Sequence, residues 1–348
     1  MNTELYKPEV IGENYHRVAD LDPLLLDETL SYLPVMNFNA DTSAILAATQ
    51  YGLEEIAHVE LSPDAALACL RDFDFLIGSS LRLGVNPLDI NPGMAEQLLR
   101  LADIAGTVPR GTVYTYAVTN PEGERMRTFT GSPEEVTFIE AVRNSTVALD
   151  DALSHLSAAS FNETEDFSKA LDQTSKAMGV MTTSIINVHR TISPEFFTLN
   201  LRPYFEPLSI DGKLYTGAGG AQLQLLAVDA VLWGLGDNEQ LYRDYFDENW
   251  QYMTPDQQAA VSQFVSLNNA SIVDLIVENS LDRDHPVTIS TANLLKSIRK
   301  FRFPHRKVAE NNFKVRPESA VGSGQHTVDI LNVLISKTDS ALLKVEGF

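Results

Sequence analysis

Ser132-Pro133-Glu134-Glu135 opens the stretch EEVTFIEAVRNSTVALDDALSHL, residues 134–156, and its reading decides the fold class. Serine before proline, with acids in the first turn, is a helix start: proline needs no N–H there, and the carboxylates meet the positive end of the helix dipole. Apolar residues then recur at helical spacing to Leu156, and a second run of the same kind spans Phe167–Thr191. Two such long runs in sequence predict a mainly α protein.

The same periodicity predicts helices over Asp22–Leu33, Pro63–Leu76, Met94–Ile104, Gln222–Leu235 and Pro255–Asn279, and a last one over about Thr327–Lys344. Asp22 before Pro23 and Thr254 before Pro255 repeat the cap-then-proline signal, and Pro34 is expected to end the first of these helices. Strand signals are few. GTVYTYAV (111–118) is β-like in composition, and Asp211-Gly212 between Leu208–Ile210 and Lys213–Tyr215 predicts a small hairpin. Gly, Pro and Thr cluster from Gly106 to Pro133 with little helical period. The expected division is therefore a smaller N-terminal helical domain, 1–106, and a larger helical domain, 107–348.

The formal charge is −21, which repels phosphate backbones and argues against a nucleic-acid partner. No apolar stretch is long enough to span a bilayer, and residues 1–15 lack the apolar core of a signal peptide. With Cys69 as the sole cysteine, no intrachain disulfide can form, so a reducing, cytoplasmic location is expected. Lys296, Arg299, Lys300, Arg302, Arg306 and Lys307 fall within twelve positions. They make either a solvated helix face or a site for the anionic edges of a ligand.

No GxGxxG after a strand, Walker loop, HExxH or paired CxxC is present, and no two histidines stand four apart on a helix. His305 lies in Phe301-Arg302-Phe303-Pro304-His305-Arg306-Lys307, where Pro304 fits the first turn of a helix. Flanking aromatics and bases suit a flat apolar cofactor with anionic edges; a surface histidine at a basic helix start is the plain alternative. Arg202, amid aliphatic and aromatic residues, is either a carboxylate clamp or half of an interhelical ion pair. Asp229 is an acid inside an apolar run and needs a buried partner. Gly217-Ala218-Gly219-Gly220 and Gly322-Ser323-Gly324 precede helical runs and are either ordinary helix entries or points of close backbone approach.

Taken together and in order, these segments resemble the indoleamine 2,3-dioxygenase superfamily of heme enzymes. SIRKFRFPHRK (297–307) with the following GSG and last helix resembles its C-terminal part, and FFTLNLRPYF (196–205) with TGAGGAQLQLLAVDAVLWG (216–234) the part before it. DPLLLDETLSYLPVMN, DFLIGSS, RTFTGSPEE and RFPHRKVAE are most similar to its monodechloroaminopyrrolnitrin synthase branch. The resemblance implies heme b with His305 as the axial ligand to iron, Arg302 at a propionate, and Asp229 on the proximal side. It implies Arg202 on the substrate carboxylate, and Ser132, Gly219 and Gly220 along the distal side. Ser323 matches the serine of the glycine-rich loop, and His326, two residues after Gly324, is a candidate to donate to oxygen or accept a substrate proton. Phe313, Gln325 and His326 depart from the branch, which carries tyrosine, glycine and tyrosine there. The implied activity is oxidation of tryptophan or a related aromatic amino acid, with dioxygen or peroxide, in specialised metabolism. Ring-opening dioxygenation, aromatic hydroxylation and a heme sensor without turnover are the alternatives.

Overall fold

A computed structural model describes residues 11–218, 223–235, 239–268, 270–315 and 328–347. Its helices are α1 (Ile11–Ala19), α2 (Asp27–Ser31), α3 (Leu33–Phe38), α4 (Thr42–Glu55), α5 (Pro63–Arg82), α6 (Pro87–Ile90) and α7 (Met94–Ala105) in the first third. Then come α8 (Pro133–Ala158), α9 (Thr164–Thr191), α10 (Leu223–Trp233), α11 (Gln240–Trp250), α12 (Pro255–Asn268), α13 (Ile272–Glu278), α14 (Pro286–Val315) and α15 (Val328–Glu346). The protein is mainly helical, as the periodicity predicts. None of the described helices is long and apolar enough to cross a membrane.

The two long runs that decide the fold class are α8 and α9, and they pack on each other. Ser132 caps α8: its Oγ accepts from the Glu134 N–H at 3.2 Å. α9 also packs along α14, which in turn carries α15, and α8, α9 and α14 surround the space described below. Their apolar residues join one continuous core that also takes in Leu24, Phe73 and Leu101 from the first third and Leu226, Leu295 and Val345 from the rest.

The hairpin forms as expected: β1 (Leu208–Ile210) pairs antiparallel with β2 (Lys213–Tyr215). Asp211 and Gly212 have φ of 51° and 79°, the positive values that a two-residue turn of this kind needs.

Four local expectations are corrected. The run from Asp22 is not helical until Asp27: the Asp22 carboxylate accepts from the Leu26 and Asp27 N–H groups at 2.9 and 3.1 Å, so it caps a helix that starts later. Pro34 does not stop the helical run but sits in the first turn of α3, where its missing N–H costs nothing. GTVYTYAV is not a strand. Tyr114–Val118 forms a turn of π-helix, fully buried, entered where Asp74 accepts from the Gly111 N–H at 2.9 Å and Thr115 Oγ1 from the Thr112 N–H at 2.8 Å. Side-chain acceptors and burial override β-propensity at this point. Pro255–Asn279 is two helices, because Ser271 and Asp274 make a capping box that starts α13.

Pro304 is also misplaced by local reasoning. It lies inside α14 rather than at a helix start. A proline there removes one backbone hydrogen bond and crowds the preceding turn. The helix continues through it because α9 and α15 pack along its length.

A cavity that joins His305 and Arg202

A cavity of about 210 Å³ lies between α8, α9 and α14. Phe138, Val142 and Leu149 of α8, Ile185 and Val188 of α9, and Phe301 and Val308 of α14 give it apolar walls. Phe138 and Phe197 brace one side, with ring centroids 5.4 Å apart. His305 and Arg202, from distant parts of the chain, both line it. Arg202 is half-buried at the first residue of a 3-10 turn, Arg202–Phe205, which follows a π-helical turn over Phe196–Leu201.

His305 is half-buried on α14, its ring stacked on Phe301 at 5.4 Å between centroids. Burial, with the Arg302 charge nearby, lowers its pKa to about 4. The imidazole is therefore neutral at physiological pH, the form in which a ring nitrogen can donate to a metal. Among the described residues no group of three or more His, Cys, Asp or Glu side chains is placed to hold a bare ion. His189 of α9 also lines the cavity but is exposed, so His305 is the more sheltered of its two imidazoles. A lone neutral donor of this kind fits a metal that brings its other donors with it, as heme iron does.

Arg302 and Asp229 do not line the cavity; the structure joins them to each other. Arg302 donates to Asp229 and to Thr338 Oγ1, and to the Leu334 carbonyl at 2.8 Å. Its guanidinium also lies over the Trp233 ring, 5.2 Å from the centroid. Both members of the pair are almost fully buried. Burial pushes the Asp229 carboxyl up, and the guanidinium opposes that rise. Ser132 is half-buried and serves the helix start rather than the cavity lining. Phe313 lines the cavity. Gly219, Gly220, Ser323, Gln325 and His326 lie outside the described residues.

Sequence reasoning passed over a polar cluster at the inner end. Gln224, in the first turn of α10, is 1% exposed and lines the cavity. Its Nε2 donates to Tyr114 Oη at 2.6 Å. Asp150 of α8 accepts from Tyr114 Oη and Tyr15 Oη, each at 2.8 Å, and from Gln257 Nε2 at 2.6 Å. The one available signal was a lone amide inside the apolar run LQLLAVDAVLW (223–233).

Burial raises the Asp150 pKa to about 6, against the pull of its hydrogen bonds. A carboxyl with a raised folded-state pKa adds stability below its ordinary range and loses it as pH rises through the folded value. The contribution of Asp150 is thus lost progressively as pH rises from about 4 to about 6. Asp150→Asn cannot ionise, and its thermal midpoint is expected to fall less than that of wild type across this interval. Parallel midpoint curves for the two proteins would contradict the assignment.

A family model for monodechloroaminopyrrolnitrin synthase PrnB matches residues 52–339, most of the chain. The chain belongs to this family. It is therefore an enzyme of the indoleamine 2,3-dioxygenase-like heme superfamily, a heme-dependent oxidoreductase of oxygenase type that acts on a tryptophan-derived substrate. That membership sets aside the sensor without turnover. The matched span contains His305, Arg202, Gln224 and Asp229, so the cavity lies wholly within the part that carries the family signature.

Proposed function

We propose that this protein binds heme b through His305 and oxidises tryptophan, or a close aromatic amino acid, in specialised metabolism. The observation that carries this is the meeting of a neutral imidazole and a guanidinium in one apolar cavity. When bound, the heme supplies the redox chemistry by which dioxygen or peroxide oxidises an electron-rich ring. The protein's own side chains do the rest. His305 would hold the heme iron through a ring nitrogen, and its neutral state would need no proton to be displaced. Arg202 takes the substrate carboxylate in a two-point pair, which fixes one end of the amino acid. The aliphatic and aromatic walls hold the ring and keep water from it. The family resemblance alone assigns Ser132, Gly219 and Gly220 to the substrate side; Ser132 caps α8 and does not line the cavity. Ser323 and His326 belong to the glycine-rich loop, where His326 donates to oxygen or accepts a substrate proton.

The test is anaerobic spectral titration of the ferrous protein with tryptophan, tyrosine and their derivatives, followed by product analysis. Two oxygens in the product indicate ring cleavage and one indicates hydroxylation. Arg202→Lys loses the planar fork and is expected to bind amino-acid substrates about tenfold or more weakly at normal heme content. A decarboxylated analogue should bind both proteins alike. Equal loss for that analogue would rule out a carboxylate role.

A further inference from the structure

Gln224 is an amide where the helix around it is leucine, alanine and valine, and it is almost fully buried. Burying an amide is costly unless its hydrogen-bonding groups are satisfied, so its partners decide what it can do. Its orientation follows from its neighbours. The Tyr114 hydroxyl has one proton, and Tyr114 Oη stands 2.8 Å from the Asp150 carboxylate, which can only accept when ionised. Tyr114 Oη must therefore accept from Gln224, which has to present its Nε2, 2.6 Å away. Gln257 Nε2 donates to the same hydroxyl oxygen and to Asp150, and so holds the arrangement from the α12 side. Nε2 has two protons, and the Gln224 side chain also hydrogen-bonds to Asp150. With the nitrogen engaged by Tyr114 and Asp150, the carbonyl oxygen is the group Gln224 can offer to a molecule in the cavity that it lines.

The polarity of the cavity says which donor it meets. Arg202 is half-buried, while Gln224 is buried with Tyr114 and Asp150 behind it. A carboxylate held at Arg202 directs the rest of an aromatic amino acid inward. An aromatic ring that carries an N–H would then be placed among Phe138, Leu149 and Ile185, where a bare donor loses a hydrogen bond to water. Ser145, another polar residue of the lining, donates its hydroxyl to the Ala141 carbonyl at 2.7 Å.

We infer that Gln224 is a specificity-determining residue: its side-chain carbonyl, locked by Tyr114, accepts the ring N–H of an indole-type substrate. This rests on the functional reading above, and it adds the reason for choosing indole over an isosteric ring without the donor.

The experiment uses the purified heme-loaded protein and measures equilibrium binding of two ligands, tryptophan and its benzothiophene analogue, in which sulfur replaces the ring N–H. Wild type is expected to prefer tryptophan about tenfold, the value of one buried hydrogen bond whose loss leaves a partner unpaired. Gln224→Met, close in size and without the carbonyl, is expected to bind the two alike, with affinity for the analogue kept or raised. If the variant does not fold, the wild-type comparison still decides, because it changes the ligand and not the protein. Equal affinities in wild type would overturn the role of Gln224, as would an unchanged preference in Gln224→Met. Binding of neither ligand to wild type would instead remove the functional reading itself, so the two failures are told apart.

Discussion

His305→Ala is expected to abolish the Soret band of the purified protein, or to leave only weakly retained heme. The other imidazole lining the cavity, His189, is exposed on α9, whereas His305 is half-buried and stacked on Phe301. The His305 imidazole is neutral without help, because burial has already lowered its pKa to about 4. Removing it takes away the donor bond and leaves a space next to Phe301, on which the ring is stacked. The fold should survive: His305 is half-buried and lines a cavity rather than filling the core. Addition of free imidazole to the variant is then expected to restore part of the band, which simple misfolding would not allow. An unchanged spectrum and heme content in His305→Ala would sink the assignment.

The parts of this protein that could be read in its sequence are those where local chemistry and tertiary packing agree. α8 and α9 are long and apolar on one side, so period coincides with the folded helices; the Ser132 cap also marks the start of α8, whereas α9 starts at Thr164 without a side-chain cap. Asp211-Gly212 dictates its hairpin, since few other residue pairs accept positive φ twice. Reading failed where a distant group sets the backbone. Asp74 takes the Gly111 N–H and turns a β-like run into a buried π-helical turn. Pro304 would open a helix if alone, but α14, packed against α9 and α15, continues through it.

The candidate site divides in the same way. His305 and Arg202 were visible because their residue types are unusual for their surroundings, and the resemblance gave each a role. The link from Gln224 through Tyr114 to Asp150 was not, since it needs three residues from three elements to be adjacent. Nothing in a strand-like reading of 111–118 would bring Tyr114 to Asp150.

Asp229→Asn is expected to destabilise the protein by about 3–5 kcal/mol, the cost of stranding one member of a buried ion pair. Arg302 is fully engaged in the fold. Its guanidinium is 3% exposed and its protons go to Asp229, Thr338 and the Leu334 carbonyl. Three elements, α10, α14 and α15, therefore meet at one charge. Asparagine keeps the shape but removes the counter-charge, and the guanidinium has nowhere nearby to be hydrated. Replacing both partners with apolar residues, Asp229→Leu with Arg302→Met, should recover most of the loss, because no charge is then left buried. The resemblance to heme enzymes assigns Arg302 a different partner, a heme propionate, and the two roles separate experimentally. If the guanidinium serves chiefly to tie α14 to α10 and α15, Asp229→Asn lowers the urea midpoint of the heme-free and heme-bound protein alike. If it serves chiefly to hold a propionate, heme-free stability stays near wild type and only heme affinity changes. The engaged geometry of Arg302 favours the first result. It also places His305 three residues beyond an anchored point of α14, so loss of the pair should broaden the heme spectrum even where heme is still bound.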